Sequence, residues 1–365
     1  MISIAKPIIG EDEVNAVTEV LRSGVIAEGQ KVKDFEAAFA QYSGTSFAVA
    51  VNSGTAALHA ALLAHGIGAG DEVITTPFTF VATSNSVLFT GAKPVFADII
   101  EDTFNIDPES IIEKITPRTK AIIPVHLYGQ AADMKAIMDI AEDKDLIIIE
   151  DACQAHGATF EGKSVGSFGE GTFSFYPTKN MTTGEGGIIT TSDKDIANKA
   201  RMIRSHGSKQ RYLHEMLGFN LRMTDIAAAI GLVQLGKIGD FNRSRIKNAE
   251  YLTKSLKNIK GLILPHVDKR CGHVFHQYTV RIRGDISRDE VVSSLNKMDI
   301  GTGIYYPLPI HKQPFYKELG YNDSLPVSEC SSKEVLSLPI HPSLNESEID
   351  AISGSLQEIM EKRFP

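Results

Sequence analysis

A lysine, a carboxylate, a glycine turn and an aromatic ring, each placed just after a short apolar run, are the groups in this sequence that could do chemistry. The lysine is Lys179, in SFYPTKNMTTGEGG from Ser174 to Gly187. The residues up to Tyr176 read as a strand, Pro177 stops it, and the lysine follows in a loop rich in Thr and Gly. A flexible amine on a rigid strand end can lose its proton through desolvation and cationic neighbours, and then acts as nucleophile or base. A solvated surface lysine is the plain alternative. Glu150 and Asp151 end the apolar run of LIIIEDACQAHGA, Leu146 to Ala158. A carboxylate there can pair with a protonated ring nitrogen, or it can simply cap a helix. In NSGTAAL, Asn52 to Leu58, a Ser-Gly-Thr turn opens a helix. Free N–H groups at a helix start bind phosphate, and Gly54 lets the anion approach the backbone; a simple cap is the alternative. Phe80, in TPFTFVAT from Thr76 to Thr83, falls past a strand end and can cover a flat ring or fill a core.

Taken singly these motifs say little. Their order carries more: phosphate turn, stacking aromatic, acid, lysine, each after an expected strand. That set is what pyridoxal phosphate (PLP) needs, because its ring must be held by an acid to act as an electron sink. Other signals lead elsewhere or nowhere. His273 and His276 stand three apart on an expected strand, HVFHQYTVRI, and so point to opposite faces and make a poor metal pair. GSFGEG, Gly166 to Gly171, has the wrong glycine order for a dinucleotide site. HEMLG is not a zinc HExxH, no Walker lysine follows Gly54, and no Ser-His-Asp set is readable. No metal is expected.

The elements that must position these residues alternate. SFAVAVN, EVITT, KPVFADI, KAIIPVHL, LIIIEDA, GTFSFY and GGIITT read as strands buried on both faces. Helices are expected over Gly54 to Gly66, over DMKAIMDIAEDKD and DKDIANKARMIRSHG, and from Thr224 to about Leu256. Strands alternating with helices give a mainly parallel central sheet flanked by helices, an α/β fold. In such sheets ligands sit beyond the carboxyl ends of the strands. The texture then changes: HVFHQYTVRI, a helix from Ser287 to Met298, several prolines and a last helix from Glu346 to Lys362 suggest a smaller α+β unit. The expected division is a large α/β domain over 1–247, whose N-terminal helix can pack on the small one, and a small C-terminal domain over 248–365.

The 365 residues carry a formal net charge of −8, with 42% hydrophobic and 22% charged residues. That is an ordinary globular composition, and its charge does not draw nucleic acid or anionic membrane. Neither a signal peptide nor a spanning segment is expected. Cys153, Cys271 and Cys330 fit no disulfide framework, which points to a reducing, cytoplasmic setting.

The sequence resembles the DegT/DnrJ/EryC1/StrS aminotransferases, the sugar aminotransferase branch of fold-type-I PLP enzymes. The likeness runs through AEGQKVKDFEAAFA, SGTAALHAAL, GDEVITTPFTFVAT, TPRTKAIIPVHLYGQ, IEDACQAHGA, SFYPTKNMTTGEGG and GFNLRMTDIAAAIG. By this resemblance Lys179 holds PLP covalently, Asp151 pairs with the ring nitrogen, Gln154 contacts the ring's phenolic oxygen and Phe80 stacks on the ring. Gly54, Thr55 and Ser174 match phosphate-binding positions. Asn220 matches an asparagine that reaches the neighbouring subunit's cofactor, which implies a homodimer with shared sites. Glu28, His126, Tyr128, Glu185, His206, Tyr306 and His311 fall in segments that approach the substrate in relatives. The resemblance implies transfer of an amino group from L-glutamate to a nucleotide-linked keto-sugar, with a 4-keto-6-deoxyhexose the first expectation and surface polysaccharide or glycan synthesis the setting. A keto-cyclitol acceptor in the same family, a PLP sugar dehydratase and a non-enzymatic regulator are the rivals. Lysine at 179, where the dehydratase branch has histidine, speaks against the second. An acidic chain without an evident helix-turn-helix speaks against the third.

Overall fold

The computed structural model describes residues 1–284 and 286–361; Lys362, the expected end of the last helix, lies outside the described residues. All seven expected strands form one sheet: β1 (Phe47–Val51), β2 (Glu72–Thr75), β3 (Lys93–Phe96), β4 (Thr119–Ile123), β5 (Ile147–Asp151), β6 (Glu170–Ser174) and β7 (Gly187–Thr191). Their order across the sheet is β1-β7-β6-β5-β4-β2-β3. β7 runs antiparallel to both its neighbours, and the remaining pairings are parallel.

Strand period two sorts the apolar residues onto two faces. Ala48, Ala50, Ile74, Ile122, Ile148 and Ile188 share one core with Phe35, Phe39, Met134, Ile137 and Ala228. These come from helices α2 (Gln30–Ser43), α6 (Met134–Lys144) and α8 (Asp225–Leu256). Val49, Val51, Val73, Ile123, Ile149 and Ile189 face the opposite way, against Leu58 and Leu62 of α3 (Gly54–Ala64) and Ile196 and Ile203 of α7 (Lys194–Arg204). With both faces covered, the strands are near-continuous apolar runs, and polar groups gather at the strand ends.

A second sheet is small and antiparallel, pairing Leu262–Ile263 with Tyr278–Ile282 and the latter with Val335–Leu338. It packs against the helices Arg288–Lys297 and Glu346–Glu361. α8 contributes to both regions: Ala228 sits in the first core, while Ala249, Leu252 and Leu256 sit in the core of the small sheet. Position 248, the expected domain division, falls inside this one helix. The N-terminal helix Glu11–Ser23 lies along α8, where buried Glu13 accepts from Gln234 Nε2 at 2.8 Å and Lys237 Nζ at 2.9 Å. The chain start is also built in: the Ile2 N–H donates to Asp299 O, and the Gly301 N–H donates to Ile2 O, both at 2.7 Å.

The strand expected at HVFHQYTVRI begins later, at Tyr278. Phe275 has φ +44°, in the left-handed region that a strand cannot contain, so His273 and His276 stand in a turn before it. Among the described residues no helix is long and apolar enough to cross a membrane, and no group of three or more His, Cys, Asp or Glu could hold a metal ion.

Candidate active site

The carboxyl ends of β1, β2, β5 and β6 open onto one cavity of about 580 Å³. Gly54, Thr55, Phe80, Asp151, Gln154, Ser174, Lys179, Glu185 and Tyr306 all line it. Gly54, Asp151 and Lys179, up to 125 positions apart, meet because parallel strands end at the same edge, and Tyr306 joins them from outside that sheet.

The phosphate cradle starts at Ser53. Its Oγ accepts from the Ala56 N–H at 3.1 Å and so caps α3, leaving the first N–H groups of the helix for an outside acceptor. A Cβ on Gly54 would meet Ser174 Cβ at 2.6 Å and Cys153 Sγ at 3.1 Å. No larger residue fits without moving the helix start away from Ser174.

Lys179 sits at the end of a tight turn, its N–H donating to Tyr176 O at 2.9 Å. Thr182 ties the loop back, its hydroxyl donating to Phe175 O at 2.8 Å and accepting from the Gly184 N–H at 2.9 Å. Burial pushes the Lys179 amine below the usual lysine range, and Cys153 and Asp151 partly restore it. The result is a partly buried amine readier to be a nucleophile than a solvated lysine.

Asp151 is buried and held from two sides. Its Oδ2 accepts from Thr83 Oγ1 at 2.8 Å and its Oδ1 from the Cys153 N–H at 3.2 Å. Gln154 is oriented by the Tyr128 N–H, which donates to its Oε1 at 3.1 Å, and its Nε2 donates to Tyr306 Oη at 3.2 Å. Phe80 is 56% exposed although surrounded by core elements, and its ring lies 6.2 Å from that of Tyr306, tilted by 36°. Both rings line the cavity.

A free cradle, a desolvated amine, a fixed carboxylate and an exposed ring in one cavity fit a phosphorylated heteroaromatic aldehyde. The phosphate would take Gly54, Thr55 and Ser174, the ring nitrogen Asp151, and the aldehyde carbon Lys179.

Six expected residues stand away from the cavity lining. His126 is fully buried behind Asp151: its Nδ1 accepts from the Ala132 N–H at 3.1 Å, so Nε2 carries the proton and donates to Glu150 Oε2 at 2.9 Å. Its N–H also donates to Asp151 O at 3.0 Å. Glu150 accepts in addition from the N–H groups of Gly166, Phe168 and Gly169. Burial alone would raise its carboxyl, but His126 and these donors hold it below the usual range. Tyr128 is buried with φ +58°, its hydroxyl donating to Tyr305 O, so it braces Gln154 and Tyr305 from outside the cavity. His311 is buried against Glu329, with a 3.2 Å contact from Nε2 to Oε1. Glu28 is paired with Arg204 at 2.6 Å. His206 and Asn220 lie exposed next to each other's strand-like segment, the His206 N–H donating to Phe219 O at 2.8 Å and Ser205 bridging Asn220.

The cavity is also lined by Thr83, Cys153, Tyr305, His276 and Gln277, none of them expected at this site from the sequence. Thr83 and Cys153 sit inside TPFTFVAT and LIIIEDACQAHGA, beside the residues that the sequence points to. His276 and Gln277 come from the start of the small sheet, and only the folded chain brings them here.

A mostly parallel α/β sheet with this cavity at its carboxyl edge is the architecture of the PLP-dependent aminotransferases. The model of the DegT/DnrJ/EryC1/StrS aminotransferase family matches residues 7–357, and the chain belongs to that family. It is similar to the GDP-perosamine synthase of Caulobacter vibrioides, 42% identical over 366 residues that cover 98% of each chain. It is similar to a protein of Geobacillus stearothermophilus named a pleiotropic regulatory protein, 47% identical over 351 residues, 94% of this chain and 93% of that one. The solved structure of NtdA from Bacillus subtilis with bound cofactor PMP superposes with a TM-score of 0.89 at 35% identity, over 96% of this chain and 82% of NtdA. The chain is an aminotransferase.

Proposed function

We propose that this enzyme transfers an amino group from L-glutamate to a keto-sugar carried on a nucleotide, a 4-keto-6-deoxyhexose in the first instance, with PLP held covalently by Lys179. The observation that carries the reading is the meeting of the Lys179 amine, the Asp151 carboxylate and the Gly54 cradle in one cavity. The similarity to GDP-perosamine synthase supports the sugar acceptor. When bound, the cofactor supplies an electron sink for the electrons left at the donor's α-carbon. Asp151, anchored by Thr83 and Cys153, would face the ring nitrogen. Lys179 Nζ, once free, takes the proton from the donor's α-carbon and later returns one to the new amine-bearing carbon. Phe80 and Tyr306, which line the cavity, would offer the ring apolar faces.

The exposed Asn220 supports a homodimer in which each chain completes its partner's cofactor site, and the cytoplasm is the proposed setting. Surface polysaccharide or glycan synthesis is the proposed context. The regulatory name of one relative favours no DNA-binding reading here, because this chain keeps a full cofactor set and carries a net charge of −8. The test has two parts. Borohydride-reduced holoenzyme is digested and the pyridoxyl tag located by mass spectrometry, with Lys179 the expected position and any other overturning it. UDP-, dTDP- and GDP-linked keto-sugars are then assayed against keto-inositols with L-glutamate, following 2-oxoglutarate. Turnover of keto-inositols alone would move the acceptor to the cyclitols.

A further inference from the structure

The sugar reading leaves His276, which lines the cavity, without a task. We propose that His276 Nε2 accepts a hydrogen bond from a hydroxyl of the sugar acceptor, so that His276 serves the sugar half of the reaction and not the amino-donor half. The inference rests on the keto-sugar reading above.

The argument starts with Asn180, the residue after Lys179. Its Nδ2 donates to Asn242 Oδ1 at 2.8 Å and to Val274 O at 3.1 Å. Asn242 is itself fixed, because its Nδ2 donates to His156 O at 2.8 Å. Both amide hydrogens of Asn180 therefore point at acceptors, and the amide cannot be turned over. Its Oδ1, which can only accept, lies 3.2 Å from His276 Nδ1. Nδ1 must carry the ring proton, and Nε2 is left as a bare acceptor.

His276 is only 5% exposed, yet it lines the cavity. Gln277 Nε2 lies 3.4 Å from His276 Nε2, too long for a strong hydrogen bond and easily displaced by a hydroxyl. Burial, followed by the positive charges of Lys179 and Arg245 and by His156, holds the imidazole well below its usual range. The ring is neutral, so Nε2 accepts while Nδ1 donates to Asn180 Oδ1. A buried neutral lone pair repels the carboxylates of an amino-acid donor. It matches a hydroxyl, which a sugar carries on most of its carbons; the one N–H donor of glutamate, its α-amino group, is the group being transferred. Sites that hydrogen-bond a substrate hydroxyl discriminate through the cost of leaving the partner unpaired.

The experiment separates the two half-reactions of the holoenzyme by single-turnover absorbance. L-glutamate drives the first; the nucleotide 4-keto-6-deoxyhexose that the wild type turns over drives the second. His276→Leu should slow the second about tenfold, the weight of one neutral hydrogen bond, and leave the first unchanged. His276→Gln, which keeps an acceptor, should recover most of the loss. Equal slowing of both halves, or an unimpaired sugar half in His276→Leu, overturns the inference. Fluorine in place of each sugar hydroxyl in turn tests the unaltered enzyme, should His276→Leu not fold. One position should then weaken about tenfold in equilibrium binding, and a set of analogues that all bind like the parent overturns the inference. A wild type that accepts no keto-sugar overturns both this and the reading beneath it. A wild type that does so, with His276→Leu indifferent, overturns this one alone.

Discussion

Replacing Asp151 by Asn removes a charge while keeping a shape, and the structure says what each atom would do. Oδ1 accepts from the Cys153 N–H, a donor that cannot turn, so the asparagine oxygen must take that place. The new NH₂ then faces Thr83 Oγ1, 2.8 Å away in the parent. A hydroxyl can accept as well as donate, and Thr83 can redirect its own proton to Thr79 Oγ1 at 3.2 Å. Every group keeps a partner, so the fold should change in stability by no more than about 1 kcal/mol. The ring nitrogen of the cofactor, however, loses its anion and meets an amide fixed by those same contacts. Loss of one preorganised electrostatic contact at a reacting centre costs roughly 10²–10³-fold in kcat, about 2.7–4 kcal/mol. Thermal unfolding with and without PLP, cofactor absorbance and steady-state turnover together read this out. A variant that binds PLP, melts normally and turns over within about threefold of the wild type would refute the electrostatic role. A variant that melts far lower would refute the account of the hydrogen bonds.

Lys179→Ala should lose covalent PLP, seen as loss of the borohydride-stable pyridoxyl tag, and turnover should fall by about 10²–10⁴-fold. Gly54→Ala puts a Cβ at 2.6 Å from Ser174 Cβ, roughly 1 Å inside an ordinary carbon contact. It should destabilise the apo-protein by about 1–3 kcal/mol and weaken PLP binding in a fluorescence titration, and a variant unchanged in both would show the cradle to be looser than described. Burial raises the Glu329 carboxyl, but the Leu325 N–H, His311 and Lys312 outweigh it and hold it at about 2. A lowered native value stabilises the fold above the ordinary carboxylate pKa and is lost as the pH falls toward about 2. Wild type should therefore melt above Glu329→Gln at neutral pH, with the gap closing between about pH 4.5 and pH 2; a gap independent of pH would remove the carboxylate from the explanation.

Much of the sheet and of the helix set is legible in the sequence because each strand is a short apolar run bounded by turn residues. The four chemical motifs keep their meaning for the same reason: each follows the strand that carries it. What escapes is contributed sideways. His276 and Gln277 look like part of a strand, but they follow Phe275, whose left-handed backbone interrupts it, and they line the cavity. His126 reads as a functional histidine after a strand, and it is one strand away from Asp151. Its ring meets Glu150 in the core, a pairing between residues 24 positions apart that no local pattern announces. Glu28 likewise finds Arg204 across 176 positions, and Tyr128 turns its hydroxyl to Tyr305. Local pattern fixes what an element is; it does not say which neighbour a polar side chain will choose.

The bonds of Ile2 to Asp299 and Gly301 bear on how the chain is made. A ribosome releases the first residues long before their partners exist. At about 5–20 residues per second the N-terminal segment waits roughly 15–60 s for the stretch near residue 300 to emerge. The seven-stranded sheet can assemble in that interval from residues 47–191, but the small sheet's core waits for Leu336, Leu338 and the helix Glu346–Glu361. A nascent chain arrested short of residue 300 would hold its first strand-like residues unpaired, a natural point for a chaperone to bind.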